Sequence, residues 1–162
     1  MSQLDELLTR SRTPGRFIER RQFSLSREKA IEKLREFSLR DPRQYVLELV
    51  QAAVFAGASY IAIDIDEERL LLAWVGGKRL LPDEVAGVFD YLFADRGVRS
   101  QRHLVQLAIG LNALLLRKPK VLRLESGDGT PAGTLRMDLD QMGNGVVGTP
   151  EDPLSGTYLM AD

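Results

Sequence analysis

Apolar and polar positions along the chain alternate between a helical and a two-residue period, and the switches between them predict the elements in order. Leu4, Leu7 and Leu8 share one side of a short helix over residues 2–9, interrupted at Thr13-Pro14-Gly15. Phe17 to Phe23 follows as a loosely alternating first strand. Ala30, Ile31, Leu34 and Phe37 recur at helical spacing behind Ser26, whose hydroxyl can accept from an orphan amide, so residues 27–37 read as a helix. Asp41-Pro42-Arg43-Gln44 signals the next start. Asp41 can accept, Pro42 suits a first turn that needs no N–H, and Gln44 is placed to complete a capping box. This second helix passes through Tyr45, Leu49, Ala52 and Ala53 and stops at Gly57, a natural left-handed terminator. Apolar on nearly every side apart from Gln44, Glu48 and Gln51, it is expected to be buried.

Ser59–Ile65 and Arg69–Val75 read as strands joined by the turn Asp66-Glu67-Glu68. Pro82-Asp83-Glu84 opens a third helix through Phe93, Asp95 to Arg102 is a polar loop, and Leu104 to Leu116 is a fourth helix. Lys120–Glu125 and Gly133–Leu139 form a candidate hairpin around Gly127-Asp128-Gly129-Thr130-Pro131. Gln141 to Ser155, rich in Gly and Pro, reads as a loop, and Gly156–Ala161 as the last strand. Strands in antiparallel pairs separated by helices argue an α+β two-layer sandwich; a doubly wound parallel sheet would need strict alternation of strand and helix.

Composition narrows the chemistry. With 162 residues, 44% apolar and 28% charged, the chain has the size and core of one domain. The absence of cysteine excludes disulfides, thiolate zinc sites, iron–sulfur ligation and cysteine nucleophiles. A single histidine, His103, argues against a Ser-His-Asp triad or a multi-histidine metal site, and with no carboxylate beside it in sequence it is assigned no chemistry. Residues 1–43 hold 11 Lys/Arg against 7 Asp/Glu, and the remainder is acidic. Such a basic segment points weakly to nucleic acid and more often marks a solvated face. The longest apolar run, Leu104 to Leu116, contains Gln106 and Asn112 and is too short for a bilayer. The first residues lack a basic stretch leading into an apolar run, so a cytoplasmic protein is expected.

The run Glu48-Leu49-Val50-Gln51-Ala52-Ala53-Val54-Phe55-Ala56-Gly57-Ala58 resembles the first motif of the GHKL superfamily, which comprises gyrase, the ninety-kilodalton heat-shock chaperone, histidine kinases and MutL mismatch-repair proteins. The resemblance continues in register from about Phe17 to Met160. It implies the Bergerat (histidine kinase-like ATPase) fold, with a mixed, mostly antiparallel sheet on a helical layer. It divides the chain into a basic arm over 1–16 and a degenerate domain over 17–162, and it suggests the N-terminal part of a longer protein.

The departures from the motifs decide what the resemblance implies for activity. Ala52 stands where the family places its Mg²⁺-binding asparagine, and a methyl group offers a hard cation no oxygen. Phe55 replaces a nearby aspartate. Glu48 stands where active members place the general base; it is either that base or a helix carboxylate satisfied by a neighbouring Arg or amide. The adenine-binding aspartate falls on Val75 or, one residue earlier, on Trp74, which is then placed to fill the adenine space; Gly77 is kept and Arg79 replaces the next glycine. Of the phosphate-loop glycines only Gly110 remains, so that segment reads as continuous helix. Thr157, in Gly156-Thr157, matches the threonine that supports the aspartate, and without that aspartate it reads as a strand residue.

The expectation is therefore a pseudo-ATPase module with no cofactor, its cleft filled by Ala52, Phe55, Val75 and Trp74, that binds protein partners. The alternative is a chaperone-type ATPase binding Mg·ATP weakly, with Glu48 as base and Gly77, Gly110 and Thr157 as residual contacts. In the resembled families the first strand often crosses to a second subunit, so a homodimer through the arm or strand is expected by analogy. Nucleic-acid binding through Arg10, Arg12, Arg16, Arg20 and Arg21 is a third reading, poorly supported because aromatics are few there. Gly143-x-Gly145-x-x-Gly148 matches a dinucleotide fingerprint by letter, but Thr149-Pro150-Glu151-Asp152-Pro153 follows where a helix is needed. Asp64, Asp66, Glu67 and Glu68 lack cation-loop spacing and read as a solvated turn.

Overall fold

The computed structural model describes residues 26–37, 41–95, 97–150 and 152–162. The basic arm, its short helix and the strand read over Phe17 to Phe23 lie outside the described residues. Helices α1 (Arg27–Phe37), α2 (Tyr45–Ala56), α3 (Pro82–Ala86) and α4 (Arg102–Leu114) are joined by strands β1 (Tyr60–Ile65), β2 (Leu70–Val75), β3 (Leu122–Asp128), β4 (Leu135–Leu139), β5 (Gly145–Gly148) and β6 (Ser155–Ala161). The strands form one sheet in the order β1-β2-β6-β3-β4-β5. The fold is the expected α+β two-layer sandwich. The sheet is not mixed among the described residues, because each pairing there is a local connection between sequential strands or involves β6, which runs antiparallel to both β2 and β3.

Register separates the two faces. Leu70, Leu72 and Trp74 of β2 sit opposite Ala161, Leu159 and Thr157 of β6. These in turn face Leu122, Leu124 and Ser126 of β3, so the inner face is one continuous buried surface. On the outer face, Arg123 Nε donates to Asp138 Oδ1 at 2.7 Å and Arg136 Nε to Glu125 Oε1 at 2.6 Å, cross-strand pairs typical of a wet face. The central helix is α4, buried from His103 to Leu114 except at Gln106. It begins two residues earlier than expected, and a 3₁₀ turn over Leu115–Arg117 ends at Lys118, which adopts φ +52°. α1 lies against α4 through Ile31 and a polar clamp. Arg35 Nε donates to Asn112 Oδ1 at 3.1 Å, and Asn112 Nδ2 donates to the Ile31 carbonyl at 3.4 Å.

Four local expectations are corrected. Asp41 Oδ1 accepts from the Arg43 N–H as predicted, but Pro42–Gln44 forms a 3₁₀ turn ahead of α2, so Gln44 lies before the α-helix and makes no cap bond. α2 is not buried all round, since Leu47, Val54 and Phe55 are 53%, 57% and 42% exposed. The third helix stops at Gly87, whose missing side chain weakens a helix interior, and continues as a 3₁₀ turn over Val88–Phe93. β5 lies inside the segment read as a loop; only Val146 and Val147 between two glycines carry its strand signal.

Candidate functional site

Helical spacing puts Glu48, Ala52 and Phe55 on one stripe of α2 and Arg102, Gln106 and Gly110 on one stripe of α4. The two helices run antiparallel. The Phe55 ring lies under the Arg102 guanidinium, 5.8 Å from centroid to carbon, and at the other end Arg117 Nη1 donates to Tyr45 Oη at 2.8 Å. Midway, Leu49 rests on Gly110, where a Cβ would come within 2.7 Å of Leu49 Cδ2. Gly110 therefore serves a close helix–helix approach in the middle of α4, where no phosphate loop exists. Ala52 is buried, and Glu48 is partly buried and engaged.

Beneath these helices the sheet contributes a row of inward side chains. Trp74 is 2% exposed, and its indole Nε1 has no hydrogen-bond partner. Opposite it, Thr157 Oγ1 and Ser126 Oγ share a hydrogen bond of 2.9 Å, and Ser126 Oγ also accepts from the Leu80 N–H at 3.2 Å. Thr157 is thus more than a strand residue: with Ser126 it anchors the loop over 76–81. Val75 alternates with Trp74 and so points to the outer face, 36% exposed. Of the two positions expected to match the resembled family's aspartate, Trp74 directs its side chain inward. Phe55 and Val75 are exposed and not packed inside, contrary to expectation; Phe55 lies against Arg102.

The loop itself is fixed at several points. Gly76 and Gly77 take φ +81° and +76°, and Lys78 N–H donates to the Ala56 carbonyl at 2.7 Å. A Cβ on Gly77 would fall on that same carbonyl oxygen, so Gly77 is required by the end of α2 whether or not a ligand is present. Arg79 reaches Asp128 and the Gly133 carbonyl, tying the loop to the β3–β4 turn. Lys78 Nζ lies 3.5 Å from the Ser100 carbonyl, across the segment preceding α4. His103 is buried beside this loop. Burial lowers its pKa below the usual 6.5, Lys78 lowers it further and Glu84 partly opposes both. At neutral pH the imidazole is uncharged.

Ser126, Leu80 and the Phe55–Arg102 pair were not singled out in the sequence. Ser126 carried a usable signal, since it continues the inward alternation of Leu122 and Leu124 with a hydroxyl. Among the described residues no cluster of three His, Cys, Asp or Glu is arranged to hold a metal, and no helix is long and apolar enough to cross a membrane. A cavity of about 710 Å³ opens at the opposite end of the α2–α4 pair, lined by Tyr45, Leu70, Leu114 and Arg117 among others.

Neither a protein-family model nor a curated protein matches the chain. A solved structure of the N-terminal domain of a DNA repair protein is similar, with a TM-score of 0.55 and 16% identity over 85% of this chain. The chain spans 41% of that neighbour's length. At this identity the likeness speaks for the fold, the two-layer α+β sandwich.

Proposed function

We propose that the protein is a degenerate GHKL-type domain on the Bergerat scaffold, a pseudo-ATPase that works as a protein-interaction or chaperone-like regulatory module in the cytoplasm, without a cofactor. The observation that carries this reading is Trp74. It is buried on the helix-facing side at one of the two positions, Val75 and Trp74, that match the adenine-binding aspartate of the resembled family, and an indole N–H cannot accept a bond from an exocyclic amine. The methyl of Ala52 and the unbroken α4 around Gly110 support the same reading, because neither offers what a magnesium triphosphate needs. The neighbour's role in DNA repair adds no function here, since one fold hosts many.

The alternative keeps ATP as a weak ligand of a rearranged cleft with Glu48 as general base. Calorimetric titration with ATP and ADP to millimolar concentration, with and without Mg²⁺, separates the two. No heat and an unchanged melting temperature are expected. Binding tighter than about 100 μM, roughly −5.5 kcal/mol, overturns the proposal and calls for Glu48→Ala in a hydrolysis assay. Protein partners are then sought by pull-down.

A further inference from the structure

The two edges of the sheet are built differently. β5 has four residues, two of them glycine, and so offers little for another strand to pair with. β1 has six, Tyr60–Ile65, with no glycine, proline or lysine and an unbroken ladder to β2. Its other side is a sheet edge among the described residues. Ile61, Ile63 and Ile65 lie opposite Trp74, Leu72 and Leu70, and therefore share the inner, helix-facing side. Yet Ile63 and Ile65 are 45% and 48% exposed, so the helical layer stops short of β1. Leu47 and Val54 of α2 add further exposed apolar surface.

We propose that β1 is a homodimer edge: two copies pair their β1 strands antiparallel about a twofold axis through Ile63, making one sheet of two halves. This rests on the strand itself and not on the nucleotide reading. The apolar spacing at 61, 63 and 65 is its own complement. With Ile63 of each copy face to face, Ile61 of one opposes Ile65 of the other and every inner side chain meets an inner side chain. Asp64 then falls opposite Ala62, so no carboxylate in the strand faces another, and like charges do not oppose the pairing. Ile63, Ile65, Leu47 and Val54 together with Tyr60, which lies opposite Val75 on the outer face, expose on the order of 500 Å² per copy, an upper bound on the apolar area that pairing can cover and, for two copies, about the 1,000 Å² at which specific interfaces begin.

Sedimentation equilibrium of the full chain at tens of micromolar is expected to give twice the 18.1 kDa monomer mass. Ile63→Lys, which brings two ammonium groups together on the axis, should weaken association at least about tenfold with unchanged far-UV circular dichroism. Because the chain has no cysteine, Ile63→Cys introduces a unique thiol, and partners across an antiparallel pair stand close enough for a disulfide. Mild oxidation should yield a covalent dimer, whereas Val146→Cys on β5 should stay monomeric. A wild-type monomer at about 100 μM overturns the proposal. So does a dimer that survives Ile63→Lys, as one held by the N-terminal arm would, or an Ile63→Cys chain that does not cross-link.

Discussion

The α2–α4 pair has two ends, and they are occupied in opposite ways. At the end that holds Trp74, the indole is buried and the Thr157–Ser126 pair is bonded to the loop over 76–81. At the other end, where no motif points, the walls stand apart around about 710 Å³, with Arg117 held between Tyr45 Oη and the Glu67 carbonyl. One end is thus held together by contacts within the chain and the other borders a cavity. The packing of this chain decides at which end space is left.

The contrast can be broken most severely at Trp74. Trp74→Ala should cost about 3–5 kcal/mol in urea unfolding, because it empties a packed site. Loss of under about 1 kcal/mol would mean that the indole does not close that end. As the sole tryptophan, Trp74 should also emit as a buried indole and resist acrylamide quenching.

Gly77→Ala should follow at about 2–3 kcal/mol, combining a left-handed backbone with a clash against α2. Gly148→Ala, which meets nothing within 4 Å, is the control and should be near neutral. At the cavity end Arg117→Ala should cost under about 1 kcal/mol, since the residue is exposed. A cost as large as that of Trp74→Ala would show the two ends to be equally structural.

The smallest effect is expected from His103. Its folded pKa lies below the unfolded value near 6.5, so on acidification the unfolded chain binds the proton first. The contribution of the neutral imidazole is present above pH 6.5 and lost as pH falls through the folded pKa. Melting curves from pH 7.5 downward should show this decline, and His103→Gln should remove its share of it. An unchanged pH profile in the variant would put the imidazole in water.

Much of the fold was legible because local signals and burial agreed. Gly57 terminates α2 at φ +88°, and the alternation of Leu70 to Val75 gives β2 and its inward residues. Boundaries slipped where neighbouring residues compete, as at Gly87 inside the third helix and at Gln44, displaced from its capping position by a 3₁₀ turn. The site was legible in part. Trp74 stood out as a departure from a motif and Gly77 as a position that keeps it, but their roles depend on partners distant in sequence. Nothing in the local sequence around Gly110 announces Leu49, or around Thr157 announces Ser126. Phe55 was misplaced because a large apolar residue at a motif position suggests burial, whereas Arg102 offers its ring a surface contact instead.

The position of β6 bears on how the molecule assembles. β1 and β2 form one hairpin and β3, β4 and β5 another run of neighbours, and among the described strands the two blocks are hydrogen-bonded into one sheet through β6, which follows them in the chain. Each block can acquire its own short-range pairings while the chain is being synthesised. The seam between them, where Trp74 meets Thr157 and Thr157 meets Ser126, waits for the final strand to arrive and pays its loop-closure entropy in a single late step. Refolding should accordingly be limited by the docking of residues 155–161, and slow variants should cluster along that seam more than within either hairpin.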